Sequence, residues 1–188
     1  MKTIWWSVLL SLLCLQLVMA QKYETQAFEV IKKVGDAEIR YYPSVMRIKT
    51  YQSNGFSSLF GFISGRNSTG QKIAMTTPVY MQEKEGARMM EFILPKHFTP
   101  ENVPKSVSQQ VAVYESEPAY FIAYTFGGYS FDWISKRATQ KLRDIIEKNQ
   151  LKIIDEPLLL VYNSPYQVLN RKNEILFKIQ YNPNEHHP

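Results

Sequence analysis

The stretch GFSSLFGFISG, residues 55–65, lies between two sets of strand-like runs, and its period decides how the whole chain is read. Phe56, Leu59, Phe60 and Ile63 recur at i, i+3, i+4 and i+7, which places them on one face of a helix, with Phe62 at the margin of the stripe. Gly65 is positioned to stop that helix. Upstream, FEVIKK (28–33), AEIRYY (37–42) and VMRIKTY (45–51) are rich in β-branched and aromatic residues, and Gly35-Asp36 and Pro43 separate them as turns separate strands. Downstream come QKIAMTTPVYM (71–81) and RMMEFILP (88–95). Pro78 has no amide hydrogen to give to a central ladder, so the first of these runs turns, bulges or reaches an edge after Thr77.

Beyond a polar, proline-bearing connector (96–106) the same order returns. VAVYE (111–115) and AYFIAYTF (119–126) read as strands, and a helix is expected from about Phe131 to Asn149. Ile134, Ala138, Leu142 and Ile145 form its apolar stripe, Ser130 is the expected cap, and Asp132 suits the positive end of the helix dipole. EPLLLVY (156–162) and NEILFKIQY (173–181) close the set. Each half is strand, strand, helix, strand, strand, the signature of a duplicated unit. The expected fold is therefore α+β: two ββαββ repeats forming a distorted antiparallel β-barrel flanked by two helices. The first helix is the shorter and covers less sheet, so a cleft is expected beside it.

The opening MKTIWWSVLLSLLCLQLVMA combines one basic residue, an apolar run and small-residue spacing at Val18 and Ala20, the pattern of a cleaved secretory signal peptide. This divides the chain into a leader (1–20), one domain (21–182) and a flexible tail (183–188), with a secreted, extracellular product and no transmembrane anchor after cleavage. The single cysteine, Cys14, falls in the leader, so the mature chain has no disulfide, thiol nucleophile or cysteine metal site. Net charge is +5 for the full sequence, a bias that suits small anionic ligands or membrane surfaces and does not call for nucleic acid. Asn67-Ser68-Thr69 is a glycosylation sequon, flanked by Gly65, Arg66 and Gly70 as an exposed loop would be, so Asn67 is a candidate glycan site.

No catalytic motif is present. Of three histidines, His186 and His187 lie in the tail and His97 precedes Phe98 in the connector; there is no GxSxG elbow, HExxH, P-loop or dinucleotide fingerprint. Glu115/Glu117 and Asp155/Glu156 adjoin prolines as solvated loop charges do, rather than as a glycosidase acid pair. No catalytic residue and no metal site are assigned. Twelve tyrosines and ten phenylalanines offer stacking surface for a flat apolar ligand, and NRKNE (170–174) places Arg171 and Lys172 where they could meet a carboxylate.

AEIRYYPS (37–44), GFSSLFGFISGRNSTGQKIAMTTPV (55–79), FILPKHFTPENVPK (92–105), YFIAYTFGGYS (120–130) and YNSPYQVLNRKNEILFKIQ (162–180) together resemble the SOUL or heme-binding protein family, and most of all its heme-binding protein 2 branch. The resemblance implies a duplicated barrel like that of bacterial effector-binding domains, and non-catalytic binding of heme or another tetrapyrrole in an apolar cleft against the first helix. On this chain the cleft would be Phe56, Leu59, Phe60, Phe62, Ile63 and Met75. Some relatives carry a proposed axial histidine where Tyr41 stands, which makes Tyr41 the candidate iron ligand. Basic groups proposed for relatives in the first helix and in the NSPYQ loop are replaced by neutral residues, Gly61 and Gln167 among them. Propionate partners would then be Arg66, Lys72, Arg171 or Lys172. The reading is a secreted carrier or scavenger of heme or a porphyrin; its alternative is an extracellular protein- or membrane-interaction module on the same scaffold that has lost heme binding.

Overall fold

The computed structural model describes residues 23–84 and 86–183; the leader with Cys14 and the tail histidines His186 and His187 lie outside the described residues. The first half comprises β1 (Glu24–Thr25), β2 (Glu29–Val34), β3 (Ala37–Tyr42), β4 (Met46–Thr50), α1 (Gly55–Ile63), β5 (Thr76–Thr77), β6 (Val79–Lys84) and β7 (Ala87–Ile93). The second comprises β8 (Ala112–Glu115), β9 (Ala119–Gly127), α2 (Asp132–Lys148), β10 (Lys152–Ile153), β11 (Leu158–Val161) and β12 (Lys172–Gln180).

The main sheet is antiparallel and runs β2-β3-β9-β12-β11-β6-β7-β4-β8, with β10 added on β12. From β3 to β8 this order is a palindrome: β3 exchanges with β8, β9 with β4, β12 with β7 and β11 with β6. The duplication expected from sequence is thus a pseudo-twofold about the β6–β11 pair, where Tyr80 faces Leu160. Each repeat contributes three neighbouring strands, β9-β12-β11 and β6-β7-β4, and its first strand, β3 or β8, crosses over to flank the three of the other repeat. Among the described residues β2 and β8 do not pair, and the sheet is a curled half-barrel rather than a closed one. Pro78 follows a cis peptide bond from Thr77 and falls between β5, which pairs in parallel with β1, and β6, which joins the centre of the sheet. The turn expected after Thr77 is there.

Both helices pack on one face of the sheet. α2 sets Ala138, Leu142 and Ile146 against Ile39, Ile122, Ile175 and Phe177, while α1 sets Leu59, Phe62 and Ile63 against Met46, Ile48 and Phe92. Three sequence expectations shift here. Phe62 is buried, and Phe56 and Phe60 are exposed, so the apolar residues of α1 are divided between two faces and do not make one stripe. In α2 the third buried residue is Ile146 rather than Ile145, and the cap position is Phe131, with no side-chain cap from Ser130. Side chains of opposite parity line the inner face, where Tyr42, Tyr80, Ile93, Ala123, Leu160 and Leu176 form a third cluster.

That inner face carries charge. In one row across the strands, Glu174 lies opposite Leu160, Leu160 opposite Tyr80, and Tyr80 opposite Glu91. The glutamates hold matching places in the two halves, and each is paired: Glu174 with Arg40 at 3.1 Å, Glu91 with Arg47 at 3.0 Å. Tyr162 donates to Glu174 at 2.7 Å and Tyr114 to Glu91 at 2.7 Å. Breaking such a pair leaves a buried charge uncompensated, which is the expensive outcome. Glu91→Ala is therefore expected to lower unfolding free energy by about 3–5 kcal/mol in urea titrations, well beyond an ordinary surface change. Burial alone would raise the Glu174 carboxyl, but the Tyr162 hydroxyl and the charges of Arg40 and Lys172 outweigh it and hold it below the usual carboxylate range. A depressed carboxyl stabilises the fold above its unfolded value of about 4.3 and loses that contribution as pH falls through the folded value, so urea midpoints should drop below about pH 4. Burial pushes Tyr80 up to about 12, and its contribution is lost as pH rises from 10.0 through that value.

Candidate ligand-binding site

α1 is nine residues long and rests on β4 and β7, with its opposite side left to solvent. There Phe56 and Phe60, one turn apart, stack at 5.8 Å between centroids and 12° between planes, and the edge of Phe92 supports Phe56 at 5.4 Å. They are 48% and 50% exposed. Two phenylalanines held parallel on a surface present an apolar wall whose burial by a ligand would be favourable, on the order of 1 kcal/mol for each ring, since about half of each is already covered.

Beside this wall the helix has a notch. Gly61 carries no side chain, and the Arg66 guanidinium fills that place, folded back from the loop so that it donates to the Ser57 carbonyl at 3.3 Å. The Arg66 amide bonds to the Gly61 carbonyl at 2.9 Å, which fixes where the side chain starts. A cation thus lies against α1 on its Ser57–Gly61 side although α1 itself has no basic residue. A cavity of about 260 Å³ adjoins it, lined by Arg66, Ser57, Ser58, Ser106, Ser108 and Gln110 among others.

The loop holding Arg66 is anchored by Asn67, contrary to the exposed position expected from the sequon. Ser68, Thr69 and Gly70 are exposed, but Asn67 is buried. Its Nδ2 donates to the carbonyls of Phe62 at 2.9 Å and Gln71 at 2.7 Å, and its Oδ1 accepts from Thr69 and Gln71. The nitrogen that a glycan would occupy is committed to the fold.

The remaining sequence candidates disperse. Leu59, Phe62 and Ile63 are core, and Met75 is partly buried against that core. Lys72 is exposed. Arg171 is buried and its guanidinium is taken up within the fold rather than left to meet a ligand carboxylate; it donates to the carbonyls of Ser164 and Gln167, both at 2.7 Å, and lies over the Tyr129 ring. Lys172 pairs with Glu174 at 3.1 Å and covers Tyr162. Tyr41 meets Tyr120 at a tilt, 5.2 Å between centroids, and Tyr120 meets Tyr181; both of these partners pack against the α2 core rather than that of α1. His97 contacts Phe98, as a loop residue would. Among the described residues no group of three or more His, Cys, Asp or Glu could hold a metal ion.

Sequence reasoning missed the inner polar row. Its signal was present, since Arg40 and Glu174 interrupt AEIRYY and NEILFKIQ at the parity of Tyr42 and Leu176, which face inward. A second missed feature is a cavity of about 550 Å³ lined by Gln26, Val45, Met46, Ile93, Leu94 and Phe98 among others. Glu24 and Glu115 at its wall outnumber Lys96, which disfavours an anionic guest there.

The family model for the SOUL heme-binding protein matches residues 23–178. The chain belongs to the SOUL heme-binding protein family. Heme-binding protein 2 of Homo sapiens is 25% identical over 177 residues, covering 83% of this chain and 86% of the human one. Heme-binding protein 2 of Mus musculus is 25% identical over 159 residues, with coverage of 75% and 77%. Among solved structures, the C-terminal domain of EcmrR superposes with a TM-score of 0.55 at 12% identity, covering 77% of this chain and 96% of that domain. A hydrolase from Listeria innocua gives 0.52 at 12% identity, with coverage of 77% and 92%. These likenesses show the fold alone, a curled antiparallel half-barrel with two helices on one face.

Asn67→Ala should cost about 1–3 kcal/mol in chemical denaturation, because it orphans buried carbonyls and frees the loop; a residue on an exposed turn would be neutral.

Proposed function

We propose that this SOUL protein is a non-catalytic binder of heme or a related tetrapyrrole, acting outside the cell as a carrier or scavenger. Arg66 carries the reading. Relatives are thought to place a basic side chain on the first helix, and here Gly61 leaves that space for a guanidinium delivered from the following loop. A porphyrin is a broad apolar plate with two carboxylates, so the ligand suits a short helix that carries both a parallel phenylalanine pair and a cation. Carboxylate–guanidinium hydrogen bonds are charge-assisted, and their fork geometry orients the plate as well as holding it. Lys72, exposed in the strand entry after the same loop, is available to the second carboxylate.

The fit is of the porphyrin rather than of its iron. Tyr41 belongs to the α2 aromatic cluster, so the residues at α1 support binding through apolar contact and charge without tyrosinate ligation. Heme held in this way is cargo, which agrees with the absence of a catalytic motif in the sequence. Secretion rests on the leader; the protein recovered from culture medium should begin at Gln21 by N-terminal sequencing, and recovery of an intact Met1 terminus would remove the extracellular role.

Hemin added to the purified protein should shift and sharpen the Soret band. Phe56→Ser with Phe60→Ser should weaken binding by about tenfold or more while leaving the urea midpoint nearly unchanged, since both rings are already half exposed. Gly61→Ala is the sharper probe: it deletes no group and favours helix by about 0.5–1 kcal/mol, yet its methyl evicts the Arg66 guanidinium, so affinity should fall while stability holds or rises. Tyr41→Phe should leave the spectrum unchanged. A titration as flat as buffer would end the proposal.

A further inference from the structure

We propose that the end of the molecule opposite in chain order to α1, formed by the α2 entry and the β11–β12 loop, is a docking surface for an anionic lipid bilayer. Two segments meet there. One leads into α2 and carries Phe131 and Trp133; the other is the loop 163–171, with Tyr166, Val168 and Leu169. All five are exposed, Trp133 at 66%, Leu169 at 77% and Tyr166 at 92%. Large apolar side chains exposed singly are ordinary, but five on two adjoining segments form a patch that calls for a partner.

The patch is built. Arg171 holds the two segments together: its guanidinium lies 4.4 Å from the Tyr129 ring centroid while its Nη1 donates to the Ser164 and Gln167 carbonyls on the far side. Tyr129 stacks on Phe131 at 5.5 Å, and the Asn173 side-chain amide donates to the Gly128 carbonyl at 2.8 Å. The Lys172 amide bonds to Asn163 Oδ1 at 2.6 Å, closing the base of the loop. A loop fixed at its root by a buried arginine presents Tyr166, Val168 and Leu169 outward at little further ordering cost.

Composition and charge name the occupant. Tryptophan, tyrosine and phenylalanine suit the headgroup level of a bilayer, with valine and leucine to enter beneath it. One turn beyond Trp133, on the same side of α2, Lys136 and Arg137 are exposed. Asp132 is the acidic residue at the α2 entry. Cations around an apolar tip match an anionic leaflet, where each contributes to attraction. The surface is separate from the Phe56–Arg66 site, so the inference stands whether or not heme binds.

The test is local, because the apolar leader of the full chain would also favour lipid. In a Cys14→Ser background, an environment-sensitive NBD label is placed at Leu169→Cys, and in a second protein at Ser108→Cys in the loop beside α1. On adding phosphatidylcholine vesicles with 30% phosphatidylserine, on the order used to mimic an anionic leaflet, the label at 169 should shift to the blue and become quenched by lipid-borne nitroxide, and that at 108 should not. Pure phosphatidylcholine should give a weaker response, and Lys136→Glu with Arg137→Glu should weaken vesicle partitioning by about tenfold at low salt. Circular dichroism matching the parent confirms that these surface variants are folded. No shift at 169, or equal shifts at 169 and 108, overturns the proposal. A concentration-dependent shift without vesicles also overturns it, in favour of a second copy of this chain as the occupant.

Discussion

The ion pair between Arg40 on β3 and Glu174 on β12 is the constraint from which the rest follows. It joins the first strand pair of one repeat to the last strand of the other, inside a curled sheet whose inner face has too little room for water to solvate either charge. Once those two side chains face inward, alternation along the strands is fixed. Ile39 and Ile175 must face outward, and the outer face needs helices to cover it. A second buried pair, Arg47 with Glu91, lies within the first repeat and applies the same rule between the neighbouring strands β4 and β7. Well-packed hydrophobic residues of similar volume in such a row often give equal or greater stability. What the charges supply is register: a one-residue slip of β12 would turn Glu174 into the helix-packed core with no partner.

With the inner face closed in this way, differences between the repeats fall on the helices. α2 has 17 residues and covers the sheet of its half; α1 has nine and does not. Gly61 lies in the middle of this short helix where a good helix former would otherwise be expected. Its cost is offset by what the notch admits. The Asn67 hydrogen bonds hold the following loop close, and Arg66 reaches back to lie against α1, so a cation missing from the helix sequence returns through tertiary packing. The same short helix that leaves Phe56 and Phe60 uncovered therefore also leaves room for the charge.

The longer helix makes a different use of its ends. Its entry, Phe131 and Trp133, stays outside the core because the stripe at Ala138, Leu142 and Ile146 begins a turn later. The β11–β12 loop comes to lie against this entry through Arg171. The duplicated scaffold thus offers two unlike surfaces, one at each helix, one flat and cationic at its margin, the other protruding and aromatic.

Periodicity and turn chemistry by themselves determined the longer strands, the two helices, the duplication and the interruption at Pro78, because each depends on neighbours within a few positions; the two-residue strands β1 and β10 carry no such signal. The family motifs fixed the fold for the same reason: they are runs of local signals in a set order. The sequence could not tell which face of α1 was wet. Phe56, Leu59, Phe60, Phe62 and Ile63 are all apolar, and only the placement of β4 and β7 beneath the helix separates the buried three from the exposed two. Nor could it tell that Asn67, inside a polar glycine-rich stretch, is a buried clamp, that Arg171 is bound within its loop, or that Tyr41 stands with α2. The wet face of α1 and the place of Tyr41 depend on contacts between residues far apart in the chain, which the crossing of β3 and β8 between the repeats decides; Asn67 and Arg171 are held by carbonyls within seven positions, but in irregular loops that no periodicity describes.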